Sequence, residues 1–233
     1  MKRFLWVFLL FHTLFLTAQN DTISRRRNIR SHYLEDQLFF NISYIALRNL
    51  YPGINQQGFS HSVSFGFIRD IPVNLRRNIG FGIGLGYERN VYFQNLRIWK
   101  DEHTGNIQYR ILDRNDFISN SFVIKKIIMP VEIRLRGSTA DKFKFWRVYA
   151  GVTAGYTLSA FSEFENRFAA LRYRRLNDIP SKFQFGLHLY AGYGDINGYI
   201  YYGLNDLFSP QVKINNEHVR LSDIRFGVTL TFL

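Results

Sequence analysis

The chain contains no cysteine, and only five of its 233 residues are proline. Without cysteine there is no disulfide framework, no thiol chemistry and no cysteine-ligated zinc, iron or haem, which excludes redox roles. Beyond residue 18 no segment approaches 18 continuous apolar residues, so no transmembrane helix of about 20 residues is expected. HExxH, CxxC and GxSxG patterns are absent, and the six histidines, one of them within the first 18 residues, are scattered. We therefore expect no enzyme, no cofactor, no resident metal and no small-molecule substrate. Asp101, Glu102 and His103 form a single short run without a second cluster, which reads as solvated loop rather than as a metal site.

Aromatic residues and glycine are plentiful: 23 phenylalanines, 14 tyrosines, 3 tryptophans and 17 glycines. Such a chain has enough area to bury to offset its conformational entropy, so it should fold, and its length suits one domain. Basic residues outnumber acidic ones, 30 − 18 = +12. That excess suits nucleic acid, acidic headgroups or an anionic partner.

The first residues choose the compartment. Lys2 and Arg3 precede the apolar run Phe4 to Leu16, and Thr17-Ala18 precede a polar stretch from Gln19. This is the pattern of a cleaved secretory signal peptide over residues 1–18. Removing it leaves 28 − 18 = +10. Export excludes nucleic acid, so the charge is assigned to a membrane surface or an exported partner. Residues 19–36 read as a basic tail with Arg25-Arg26-Arg27 and Arg30, and residues 37–233 as the folded domain.

That domain alternates with a period of two, which puts every second side chain on one face of a strand. From Ile79 to Tyr87, Ile79, Phe81, Ile83, Leu85 and Tyr87 alternate with four glycines, which would cost a helix roughly 4 kcal/mol. Eight such segments are found between Gln37 and the last residue. The first is the least regular, because Phe39, Ile45 and Leu47 fall on its polar parity. Every second connection is short: Pro72 to Asn78, Gly137 to Phe145 and Asp195 to Gly198. The others, Asn49 to Gly58, Tyr92 to Ser121, Ser159 to Ser181 and Asp206 to Ser222, are longer. Short turns at one end and long loops at the other are what an up-and-down outer-membrane barrel shows, whereas a β-sandwich gives no reason for them. The expected fold is all-β: an eight-stranded antiparallel transmembrane β-barrel in a Gram-negative outer membrane, behind a cleaved signal peptide, with both termini periplasmic.

An arginine at the bilayer midplane costs about 2–4 kcal/mol on the lipid face, so the polar parity must face the lumen. Eight strands enclose room for side chains, not for an aqueous channel. We therefore expect Glu132, Arg134, Arg147, Gln184, His188 and Arg225 to fill the lumen as one hydrogen-bonded cluster. Tyr87, Tyr92, Trp99, Trp146, Tyr202 and Phe232 are expected in the interfacial girdles.

The local words resemble the PorT family, small outer-membrane barrels associated with type IX secretion and gliding motility in Bacteroidetes. They are Phe67-Ile68-Arg69-Asp70-Ile71-Pro72-Val73-Asn74-Leu75-Arg76-Arg77-Asn78 across the first short turn, Gly82 to Tyr87, Pro130 to Arg134, Lys144 to Gly151 and Tyr201 to Phe208. Leu135 stands where the pattern has tryptophan. The resemblance implies a non-enzymatic component that acts with other secretion-system subunits and outer-membrane lipid in assembly or docking. Arg69, Arg76 and Arg77 in the basic periplasmic turn are the candidate docking surface. A surface adhesin or ligand binder using the long loops, and a lipid-modifying enzyme with an outward polar dyad, remain open alternatives.

Overall fold

The computed structural model describes residues 36–74, 78–101, 103–104, 106–137, 145–166, 169–214 and 216–232. The predicted leader and all of the predicted tail except Asp36 lie outside these residues. So do Arg76 and Arg77.

Thirteen strands are found among them: β1 (Gln37–Arg48), β2 (His61–Pro72), β3 (Ile79–Phe93), β4 (Leu96–Lys100), β5 (Ile107–Ile111), β6 (Ser119–Arg136), β7 (Trp146–Asn166), β8 (Ala169–Arg175), β9 (Phe183–Tyr193), β10 (Ile196–Gly203), β11 (Lys213–Ile214), β12 (Glu217–His218) and β13 (Ser222–Phe232). Eight of them form the wall, in the order β6-β3-β2-β1-β13-β10-β9-β7, and β6 pairs with β7 to close the ring. Every pairing in the wall is antiparallel. Closure leaves no strand edge unpaired, the condition for a sheet to stand in hydrocarbon. Leu38 opposite Phe232 puts the start of the first strand and the end of the last at one end of the barrel.

The alternation becomes two surfaces. On β3, Phe81, Ile83 and Leu85 point outward and are exposed, while Gly80, Gly82, Glu88 and Asn90 point inward. Leu38, Ile42, Phe65, Phe67, Met129, Val131, Ile133, Leu187, Leu189, Phe226 and Val228 continue the outward apolar belt around the wall. So much exposed apolar surface suits lipid and would be a liability in water. Two predicted offenders against the pattern have physical reasons. Phe39 lies inside, packed with Ile68 and Ile128, and Ile45 joins the core above the lumen. Tyr92, expected in a girdle, is also inside: its lumen parity carries it into that core, where its hydroxyl reaches Asp223.

Two local devices escape a strict period of two. Between β9 and β10 the turn is only Gly194-Asp195, with Gly194 at φ +64°. Glycine at the first central position is what a two-residue type II′ hairpin requires. The Asn197-Gly198 pair, expected to turn, lies instead within β10, with Asn197 buried in the lumen. The second device is a β-bulge on β7. Lys126 faces Thr157 but Lys125 faces Ser159, leaving Leu158 unpaired. Beyond it the inward parity switches, so Ala160, Ser162 and Phe164 face in and β7 runs on to Asn166.

The long connections are themselves folded. β4 and β5 form a hairpin, β8 extends the sheet from the upper part of β7, and β11 pairs with β12. Their apolar residues close over the barrel mouth in a core containing Ile54, Leu96, Ile98, Leu176, Ile179, Phe208, Val219 and Leu221, built onto Ile45, Phe122 and Ile124 from the wall. Phe122 and Phe208 meet edge to face at 5.5 Å.

Candidate functional site

The six predicted lumen residues are all buried inside the wall. They do not form one cluster. Glu132 and Arg134, two positions apart on β6 and therefore on one face, pair directly, Arg134 Nε donating to Glu132 Oε1 at 2.7 Å. The His188 ring on β9 reaches over Gly151 of the intervening strand β7 to this pair: Nε2 faces Glu132 Oε2 at 3.1 Å and Nδ1 faces Thr153 Oγ1 of β7 at 2.8 Å. Because an ionised carboxylate only accepts, Nε2 carries a proton toward Glu132; in the neutral ring Nδ1 then accepts from the threonine hydroxyl. Asp70 on β2 completes this lower network, taking Arg134 at 3.1 Å and Arg136 at 2.7 Å on its two oxygens. The row of hydroxyl, imidazole and carboxylate has the connectivity of an activated nucleophile. Its three side chains are buried.

Gln184 and Arg225 belong to a second, upper network centred on Glu88. Lys126 and Arg225 each meet a Glu88 oxygen at 2.8 Å, and Asn90 donates to the same carboxylate at 2.9 Å. Lys126 also donates to Gln184 Oε1 at 2.9 Å, and Arg225 Nε to Asp223 at 2.7 Å. Burying four full charges is offset only by close pairing and hydrogen bonding of this kind. Arg147 stands apart, donating to Thr231 Oγ1 at 2.9 Å with its guanidinium 4.7 Å above the Phe145 ring.

Tyrosines hold the two networks apart. Tyr149, Tyr190, Tyr199 and Tyr201 form one buried cluster, with Tyr190 and Tyr199 stacked at 5.0 Å. Arg134 lies over Tyr149 and Arg225 over Tyr201, at 4.7 and 4.1 Å, so each network is capped by a ring face. Inward glycines make the space: a β-carbon at Gly186 would overlap the Tyr201 ring, and one at Gly82 would overlap Arg134 and Glu132. What remains open among Phe39, Glu132, Arg134, Tyr149, Tyr190 and Thr229 is about 10 Å³, near the least that admits one water.

Asp70, Glu88, Lys126, Arg136 and Asp223 were not anticipated as lumen groups. The signal was present: each has the inward parity of its own strand, Asp70 and Arg136 within the alternating segments and Glu88, Lys126 and Asp223 one residue beyond them. Counting them, the lumen among the described residues holds Lys126, Arg134, Arg136, Arg147 and Arg225 against Asp70, Glu88, Glu132 and Asp223, 5 − 4 = +1 with His188 neutral. Of the predicted docking arginines, Arg69 points outward near the short-turn end and is tied to Asp36 at 2.8 Å. Asp101 is engaged in its own hairpin turn. Its Oδ1 accepts from Thr104 and His103 backbone N–H groups at 2.8 and 2.9 Å, which holds the carboxylate below its ordinary pKa. No grouping of three metal-ligating side chains occurs among the described residues.

The model of an outer membrane protein beta-barrel domain matches residues 17–209 of the sequence. The chain belongs to that family. The apolar belt and closed wall therefore stand in an outer membrane, with the short turns on the periplasmic side and the folded loops outside. Among solved structures, two crystal structures of Ail, the attachment invasion locus protein of Yersinia pestis, are similar to this family member at 11% and 12% identity, with TM-scores of 0.36 and 0.33; one is in complex with the heparin analogue sucrose octasulfate. Each comparison covers 85% of this chain and 99% of the other. No curated protein matches the chain.

Proposed function

We propose that this protein is a non-enzymatic, non-conducting component of an outer-membrane protein secretion apparatus of the type IX kind, working by assembly or partner docking at the ends of the barrel. One observation carries the first half of this reading. The space through which cargo or solute would pass is occupied by paired charges and stacked tyrosines, and the mouth above it is closed by an apolar core. A secretion role then depends on surfaces that meet other subunits, and the resemblance of the Phe67 to Asn78 word points to the periplasmic turn.

Two measurements test it. Purified protein in a planar bilayer is expected to give no stable conductance, and sustained nanosiemens-scale steps would overturn the non-conducting reading. Arg76→Ser with Arg77→Ser is expected to leave barrel assembly intact, judged by the gel shift between boiled and unboiled samples. Secretion of cargo should fall by an order of magnitude; undiminished secretion removes the docking role.

A second reading, ligand binding by the external loops, is favoured by a separate feature. An open groove of about 1060 Å³ lies between the loop after β1 and the β3–β6 connection, bordered by Asn55, Gln57, Phe93, Asp113, Arg114 and Phe117. Deleting residues 113–117 with secretion unimpaired, but with loss of surface attachment, would favour it over the secretion role.

A further inference from the structure

On the described wall strands, outward-facing charge is distributed unequally between the two ends of the apolar belt. Among the described wall residues at the periplasmic end the outward positions include Leu38, Ile71, Ile79, Leu135, Trp146, Tyr193, Ile196 and Phe232, and the outward Arg69 is paired with Asp36. Ten residues up four of the eight wall strands the character changes, whereas on β7 and β9 the same climb ends at Tyr156 and Phe183. On β1, Leu38 leads to Arg48; on β2, Ile71 to His61; on β3, Ile79 to Arg89; on β6, Leu135 to Lys125. At a rise of 3.3 Å per residue and a tilt of about 40°, ten residues climb roughly 25 Å, the height of a barrel's apolar band. All of these basic groups therefore lie at the outer edge of the hydrocarbon.

Arg89 and Lys125 are the centre of this arc. They are direct cross-strand partners in the β3–β6 ladder, and their inward neighbours Glu88 and Lys126 pair inside the lumen, which fixes both outward. Like charges in opposed positions destabilise a sheet by themselves. Yet among the described residues no carboxylate reaches either one, and the Lys125 ammonium lies over the Phe161 ring at 5.0 Å. The next outward pair down, Tyr87 and Ile127, belongs to the belt; the next pair up, Val91 and Val123, is buried. The cations thus occupy a ledge between hydrocarbon below and covered protein above. Arg89 on β3 and Lys125 on β6 therefore stand side by side on adjoining strands, with Ser159 of β7 next in the row.

We infer that this ledge binds the phosphorylated headgroup of an outer-leaflet lipid, with Arg89 and Lys125 holding one phosphoryl group between them. The inference needs only the outer-membrane setting, and it stands whether or not the barrel serves secretion. Position selects the lipid over a soluble anion: the ledge lies where headgroups are concentrated and where acyl chains can follow the belt formed by Leu85, Tyr87 and Ile127. Arginine adds the paired donor geometry that phosphate oxygens accept.

The test uses full-length protein folded in detergent and native mass spectrometry, with bisphosphorylated lipid A, its enzymatically dephosphorylated form and phosphatidylcholine as probes. The protein is expected to retain lipid A at collision energies that strip phosphatidylcholine, and to lose the dephosphorylated form with it. Arg89→Ser with Lys125→Ser should cut lipid A retention at least tenfold. Arg110→Ser with Lys213→Ser, an equal change in charge on the external loops, should leave retention unchanged. Folding of each variant is checked by heat-modifiable gel mobility. Equal retention by the Arg89/Lys125 variant and the unmodified protein, equal retention of phosphorylated and dephosphorylated lipid, or an equal loss from the loop variant would each overturn the assignment. Competition by millimolar inorganic phosphate would overturn the choice of a lipid over a free anion.

Discussion

Leu85→Arg is expected to abolish assembly of the barrel. Leu85 lies on β3 six residues above Ile79, which at the same rise puts it roughly 15 Å into a band of about 25 Å, and it is 62% exposed on the outward face. A guanidinium there costs about 2–4 kcal/mol, and the depth leaves its stem little chance to carry the charge to either headgroup layer. The opposite substitution in kind, Ser62→Thr, adds a methyl group on the lumen side of the neighbouring strand β2. Overpacking costs on the order of 1 kcal/mol there, so this variant should reach the membrane at close to the normal level. Outer-membrane levels and gel mobility before and after boiling check both. Equal levels of the two variants would contradict the assignment of faces.

Glu88→Gln is expected to have the second-largest effect, for a different reason. Glu88 is the one carboxylate shared by Lys126 and Arg225, and both cations are buried. The amide keeps the shape and part of the hydrogen bonding but removes the negative charge. The upper network changes from two cations facing Glu88 and Asp223 to two cations facing Asp223 alone. Breaking a buried pair by neutralising one partner typically costs about 3–5 kcal/mol, because the remaining charge has lost its compensation. The midpoint of urea unfolding in detergent should fall accordingly. Adding Lys126→Met removes the surplus cation, so the double variant should recover part of the loss. If the double variant is as unstable as the sum of the two single ones, the network is not coupled through Glu88.

A period of two is legible in a sequence because it follows from strand geometry alone, one residue at a time. Hence the all-β class, the count of eight wall strands, the inward placement of Glu132, Arg134, Arg147, Gln184, His188 and Arg225, and the short and long ends were all readable from patterning. The expected boundaries failed where a local device broke the period. Asn197-Gly198 has turn chemistry, yet Gly194-Asp195 makes the turn and the lumen takes Asn197. On β7 the bulge at Leu158 reversed the parity, so the strand was expected to end eight residues early, at 158 rather than at 166.

Which inward residues meet is decided by another quantity, the stagger between strands. Glu88 comes from β3, Lys126 from β6, Gln184 from β9 and Arg225 from β13, and nothing local in any of those segments states their relative heights. Register settles that, since a slip of two residues would keep every face correct while giving Glu88 different partners. The sequence by itself therefore determined the two faces of the wall and the solvent each one meets. Only the closed ring, by setting shear and register across the lumen, decided that the enclosed charges form two networks separated by tyrosine, with Arg147 outside both.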